Sequence, residues 1–349
     1  MGLHRSAAAS IERVCARELE ERTLRIELVR TLRAAVPFED YAWLLTDPET
    51  TVGSAPLADV RPSCLPELPR LIGLRYRTTV NRWTDLDGAA SLVEATGGDL
   101  AQSLVWRELL RRHDVGDVAT VVFRDGFGLW GWVDLWRSRS EPAFTKEEIR
   151  FLADCAGPVT QTLRRAQLRF FADRSATGGP QGVAVLVLSP DLEVLAQTPQ
   201  TTEYLRLLVP PAAGQSPVPA GAFNVGAQLR AVEAGVDAHP PSSRVHLHGG
   251  RWVTLRADRI GEQSAGTRDI AVTIELTGPA DRLALFVRAA GLSPRESELV
   301  GLVLAGLDST EIAARMFLSP HTVQDHLKSV FAKTSTRSRR DLVALVRGG

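Results

Sequence analysis

Cysteine is scarce: Cys15, Cys64 and Cys155 are the three in 349 residues. They lie far apart with no C-x-x-C pair. A disulfide framework and a cysteine-held zinc site are therefore not expected, and a reducing cytoplasm suits the composition. Net charge is absent too, because 41 Lys and Arg balance 41 Asp and Glu. The whole chain has no charge excess to draw it to nucleic acid or to a membrane surface. No apolar stretch approaches a membrane span, and "MGLHRSAAASIERVCARELEERTLR" lacks the apolar core of a signal peptide. "MGLHRS" formally fits a myristoylation pattern, but so short a pattern arises by chance. Catalytic signatures are missing as well: no P-loop, G-x-S-x-G, H-E-x-x-H or dinucleotide fingerprint. No enzyme, cofactor or metal is expected.

What remains is a chain long enough for two or three domains, each with its own core. It opens with a charged helix, roughly residues 8 to 35, followed by a strand, "YAWLLTD", a turn at Pro48 to Thr50, and a second extended piece. "LAQSLVWRELLRRH", about 100 to 113, has helical spacing. "DVATVVFRD" and "GLWGWVDLWRS", joined by a turn at Gly126, predict an antiparallel hairpin. In its second arm Leu129, Gly131, Val133 and Leu135 share one face, and Trp130, Trp132 and Trp136 the other. "FTKEEIRFLADCAGPVTQTLRRAQLRFF" opens with a capping box, Thr145 through Glu148, and continues as a long amphipathic helix. This order resembles a GAF domain over residues 1–172, which implies a sensory or dimerisation module of antiparallel sheet bracketed by helices. Tryptophan is concentrated early, with Trp43, Trp83, Trp106, Trp130, Trp132 and Trp136 against Trp252 later. These residues either line an apolar ligand pocket or form the core and a dimer face.

Residues 173 to 182, "DRSATGGPQG", read as a linker. Strand, turn at Pro190–Asp191, strand and short helix follow, then a Pro, Ala and Gly-rich stretch over 210 to 222. "SRVHLHGGRWVTLRADRI" and "RDIAVTIEL" supply three more strands, the first two joined at Gly249–Gly250. Residues 183–277 thus resemble a smaller PAS-like α+β domain. His246 and His248 share a strand face. A two-histidine metal site needs further ligands, none is spaced nearby, and two exposed strand histidines are the simpler reading.

From Leu292 four short helices are expected. "LSPRESELVGLVLAG" has Ser293 as N-cap, Glu296 three residues on, and Gly306 past the end. "DSTEIAARMF" repeats the device with Asp308 and Glu311. In "LSPHTVQDHLKSVFAK" Ser319 is the N-cap and Pro320 the first helical residue. Val323, Leu327, Val330 and Phe331 fall on one face; His321, Gln324, Asp325, Lys328 and Ser329 fall on the other. "SRRDLVALV" makes the last helix. A tight turn near Phe317–Leu318 gives helix-turn-helix geometry. From Lys328 onward, Lys328, Lys333, Arg337, Arg339, Arg340 and Arg347 face a single acid, Asp341, the footprint that phosphate contacts need.

The pattern "LSPRE", "STEIAARMFLSPHTVQDHLKSVFAK" and "SRRDLV" resembles the LuxR-type helix-turn-helix family over residues 285–349. The resemblance implies that the third helix enters the major groove of double-stranded DNA and that the fourth contributes to dimerisation. It assigns DNA contact to Thr310, His321, Thr322, Gln324, Asp325, Lys328, Lys333, Arg337 and Arg339. Gln324 suits adenine, Asp325 cytosine N4, and Lys328 guanine or a phosphate; Lys333 and Arg339 fall at backbone positions. A carboxylate near phosphates repels, so Asp325 would act by rejecting wrong sequences. "KTSTRSRRD" departs from the family's usual "K-L-G-V" ending.

The fold class expected is multidomain α+β: a GAF-like sheet with helices, a PAS-like domain, and an all-α four-helix DNA-binding domain. The function expected is a cytoplasmic, homodimeric transcription regulator, with a small-molecule effector or a partner controlling it through its N-terminal domains. Two alternatives stand beside it. One is an enzyme in the first 280 residues fused to a DNA-binding tail. The other is a response regulator, whose receiver would need a phosphoacceptor Asp in a βα repeat where this chain shows antiparallel hairpins.

Overall fold

The segment expected as one helix over residues 8 to 35 is two. Helix α1 (Gly2–Cys15) stops, and α2 (Glu21–Ala35) restarts with Glu20 as its cap, whose carboxylate accepts from the Thr23 backbone N–H at 3.0 Å. The break lets α1 fold back onto α2 and bury Ile11. A continuous helix would leave that apolar surface in water. The structure, a computed structural model, describes residues 2–173, 179–211, 216–247, 251–261 and 268–348, without the side chains of residues 2 and 3.

Strands β1 (Asp40–Thr46) and β2 (Gly53–Asp59) lead through a turn of 3-10 helix into α3 (Leu68–Arg77). Strand β3 (Ala89–Ser91) and the short helices α4 (Leu92–Ala95) and α5 (Leu104–Glu108) follow. The hairpin is β4 (Val115–Asp125) and β5 (Gly128–Ser138), and α6 (Lys146–Phe170) closes the region. The sheet is antiparallel in the order β2-β1-β5-β4-β3. One face packs on α1, α2 and α6. The expected Thr145 capping box is in place: Thr145 Oγ1 accepts from Glu148 N at 3.2 Å, and the Glu148 carboxylate accepts from Thr145 N at 2.7 Å.

Two expectations in this region are corrected. Residues 100 to 113 are not one helix. Ser103 caps α5, accepting from Trp106 N at 3.4 Å, Leu109 leaves helical geometry at φ −137°, and tight turns flank both ends. The second correction is to β5. A bulge opposite Phe123–Arg124 breaks the alternation, so Trp130 joins Val133 and Leu135 on the α2/α6 face while Leu129 and Trp132 lie on the other. The extra residue turns one side chain through the sheet, and the Trp130 indole N–H donates to Asp125 at 2.9 Å.

The second region has β6 (Ala184–Leu188), β7 (Val194–Gln197), α7 (Pro199–Leu208), α8 (Ala220–Glu233), β8 (Ser242–Leu247), β9 (Arg251–Arg259) and β10 (Ile270–Leu276). Its antiparallel sheet runs β7-β6-β10-β9-β8. Helix α8 is apolar nearly all round, which marks a helix buried on several sides. It packs on this sheet with one side and on α3 and β2 with another. The expectation of exposed histidines is corrected for His246, whose ring stacks on Phe170 at 4.3 Å and meets Trp252 at 5.3 Å. An aromatic side chain beside apolar rings gains more from stacking than from water. His248, the Gly249–Gly250 turn, residues 174–178 of the linker and residues 212–215 lie outside the described residues.

Asp47 binds the two regions together. Its carboxylate receives Arg244 Nε and Nη2, each at 2.7 Å, and the Arg244 backbone N–H at 2.9 Å. Arg82 of the first region also pairs, through Nη2, with Asp237 of the second. Helix α9 (Pro279–Ala289) packs on α6 and leads into α10 (Pro294–Leu304), α11 (Ser309–Met316), α12 (Pro320–Thr334) and α13 (Arg339–Arg347). The whole is a multidomain α+β chain with two antiparallel sheets and a C-terminal helical domain. Among the described residues, no helix is long and apolar enough to cross a membrane.

Candidate nucleic-acid interface

Each helix of the C-terminal domain begins where its sequence signal places it. Asp308 Oδ1 accepts from Thr310 N at 2.8 Å and Glu311 N at 2.9 Å, and the Glu311 carboxylate accepts from Asp308 N at 2.7 Å. Two orphan donors of the first turn are thus satisfied reciprocally. Helix α11 ends at Phe317, a left-handed residue at φ 57° whose side chain is 94% exposed. Leu318 N returns to Ala313 O at 2.9 Å, which closes the turn. Ser319 then caps α12, its hydroxyl accepting from Thr322 N at 3.1 Å. Ile312, Met316, Val323, Leu327, Val330 and Leu342 are all buried and hold the helices at fixed angles.

The opposite side of α12 carries His321, Gln324, Asp325 and Lys328, all exposed, with Thr322 half-buried beside its cap. Asp325 sits between two bases on its own helix: Lys328 Nζ is 3.2 Å away and His321 Nε2 3.6 Å. Lys328 thus sets a compensating charge beside it before any phosphate approaches. Gln324 donates from Nε2 to Ser309 Oγ at 2.9 Å, and Arg339 donates to the same hydroxyl at 2.8 Å and to Leu307 O at 3.0 Å. Ser309 is the meeting point of α11, α12 and α13, a role that reading the sequence missed. Thr310, next to it, and Arg337, before α13, are exposed.

Two polar residues of α12 have partners inside the domain. Ser329 turns inward and donates to Glu296 Oε1 at 2.6 Å, and Lys333 donates to Glu296 Oε2 at 2.6 Å. The same carboxylate accepts from Ser293 N at 2.6 Å, so it caps α10 and anchors α12 at once. Burial opposes its charge, but the bonds from Lys333, Ser329 and Ser293 outweigh that and bring its pKa down to about 2. Phe331, expected with the apolar face, is half-buried at its edge, and Thr334 is the buried residue of that last turn. Ser335 ends α12 in the left-handed region at φ 55°, where the family's usual ending has glycine.

The geometry is an exposed, capped, polar helix face set next to the N-termini of two other helices, with a basic chain end beside it. Helix N-termini and basic side chains together suit a polyanion, and hydrogen-bonding side chains on a helix suit base edges.

Comparison with known proteins bears on this domain. Residues 290–346 match the model of the family described as bacterial regulatory proteins, luxR family. The C-terminal domain is thus a LuxR-type helix-turn-helix domain. Two proteins named as HTH-type transcriptional regulators, from Mycobacterium bovis and Mycobacterium tuberculosis, are each 39% identical over 82 residues, 24% of this chain and 9% of theirs. The monoamine regulon transcriptional regulator of Klebsiella aerogenes is 40% identical over 53 residues, 15% of this chain and 23% of its own. The aligned part is thus under a tenth of the length of the mycobacterial relatives.

Proposed function

We propose that this protein is a sequence-specific DNA-binding transcription regulator whose first two regions, GAF-like over 1–172 and PAS-like over 183–277, act as sensory domains. The observation that carries this reading is the exposed face of α12 on a domain matched to the luxR family, with Gln324 and Asp325 turned outward and Lys328 beside them. In this reading α12 enters the major groove. Gln324 and Asp325 meet base edges, Lys328 meets guanine or phosphate, and Arg337 and the N-terminus of α11 at Thr310 meet the backbone. His321 and Thr322 lie at the groove's rim.

A homodimer reads a two-fold related pair of half-sites about one helical turn apart. The half-buried Val343 and Leu345 of α13 are the surface this assigns to the partner copy. Signals from the first region have a physical route to this domain. The Arg282 guanidinium of α9 lies 4.9 Å over the ring of Phe171, at the end of α6, and donates to Val346 O of α13 at 2.6 Å.

Selection of genomic fragments on the full-length protein tests the proposal. A shared sequence with two-fold symmetry, bound with a steep fall in affinity as salt rises, is the expected result. Retention that is indifferent to sequence and to salt overturns it.

A further inference from the structure

The face of the first sheet turned away from α2 and α6 borders a cavity of about 440 Å³, within the range of small-molecule sites. Ala42, Trp132 and Trp136 form its floor and Leu71 of α3 its side, while Val209 after α7 and Asn224 on α8 close it from the second region. The early tryptophans thus divide between two roles. Trp43, Trp83 and Trp130 are core, and Trp132 and Trp136 line this space.

The chemistry of the wall narrows the occupant. Its buried charges cancel: Arg75 Nε pairs with Asp134 at 2.9 Å, and Thr120 donates to the same carboxylate at 2.6 Å. An ion entering its buried part would give up its water and find Arg75 and Asp134 already paired with each other. Orphaned polar groups also lie in this wall. The indole N–H groups of Trp132 and Trp136, each 3% exposed, the amide nitrogen of Asn81, and the carboxamide oxygen of Asn224, 1% exposed, have no hydrogen-bond partner. Buried polar atoms are nearly always paired. Donors on three residues against one acceptor favour a ligand with acceptor oxygens.

We propose that this cavity binds an uncharged, largely apolar molecule bearing a carbonyl or ether oxygen, and that its binding clamps the first and second regions together. The inference rests on the reading of these regions as sensory. A ligand buried by residues of both regions binds the joined state more tightly than the parted one, and so shifts the population toward it. That junction is continuous with the second-region face on which Arg244 holds Asp47 and, through its Nη1, the Asp281 carbonyl of α9 at 3.1 Å.

The test uses the full-length protein with Nile red, a neutral aromatic carrying a carbonyl, and the anionic dye anilinonaphthalene sulfonate as its comparator. Saturable one-to-one binding of Nile red with blue-shifted emission is expected, along with no displacement by the sulfonate. Ala42→Phe, which grows a ring into the cavity from β1, should abolish binding while the unfolding midpoint holds. Trp136→Phe keeps a ring but removes the N–H, and should weaken Nile red about three- to tenfold. It keeps the proposal falsifiable should Ala42→Phe fail to fold. No saturable binding, equal affinity for the sulfonate, or undiminished binding by a folded Ala42→Phe protein overturns the inference. The same preparation is passed over genomic DNA. Protein that retains DNA but takes up no Nile red overturns the cavity alone. Protein that takes up Nile red but retains no DNA overturns the regulator reading and leaves the site standing.

Discussion

Lys333 and Glu296 meet at 2.6 Å across 37 residues of sequence, and the carboxylate in that pair is 4% exposed. The lysine expected at a DNA-backbone position therefore holds α12 against α10. Lys333→Ala should lower the stability of the protein by about 1.5–3 kcal/mol, the range for a hydrogen bond to a charged group. The sign with pH follows from the carboxylate. Its folded pKa of about 2 lies below the ordinary value, so its contribution is complete above about pH 5 and is lost as pH falls toward 2. Urea unfolding of wild type and Lys333→Ala should accordingly differ at pH 7 and converge in acid. A variant of unchanged stability whose DNA affinity loses about one unit of salt slope would return Lys333 to the phosphates.

Gln324→Ala should cost roughly 1–3 kcal/mol on the preferred DNA site and far less on scrambled duplex. Asp325→Ala should raise non-specific affinity, because a like charge leaves the phosphate field, while discrimination between sequences falls. The rise will be modest, since Lys328 already pairs with that carboxylate at 3.2 Å. Binding isotherms of both variants on the two duplexes measure this. Equal losses on both duplexes for Gln324→Ala would reduce α12's outer face to backbone contact.

Ser335→Gly should stabilise the C-terminal domain by about 0.5–1 kcal/mol. Ser335 occupies φ 55° at the end of α12, a region that costs an L side chain energy and costs glycine little. The residue is exposed, so no packing is lost. A lower unfolding midpoint for the glycine variant would contradict the argument.

Arg244→Ala should destabilise the chain by roughly 3–5 kcal/mol, because it leaves the Asp47 carboxylate buried and unpaired. Burial alone would push the Asp47 carboxyl up, but the hydrogen bonds and charge of Arg244 hold it below its usual value. Asp47 thus favours the fold at neutral pH and stops doing so in acid, once the carboxyl is protonated. Replacing both partners, Asp47→Leu with Arg244→Met, should cost much less than Arg244→Ala alone. Thermal unfolding of the single and double variants compares the two.

The sequence by itself determined the local events. Ser293, Asp308, Ser319 and Thr145 cap helices because capping depends on residues within one turn of each other. The helix-turn-helix and its outward face were legible for the same reason, as were the β4–β5 hairpin and the strands of the second region, whereas β3, three residues long, left no pattern to read. Only the tertiary structure decided what depends on distant partners. A bulge opposite β4 moved Trp130 across the sheet, and Phe170 and Trp252 drew in His246. Arg244 found Asp47, and Glu296 found the Lys333 ammonium. Periodicity says which side of an element is apolar, but not which buried charge lies across from it. Burying a charge is costly enough that finding such a partner overrides the local pattern.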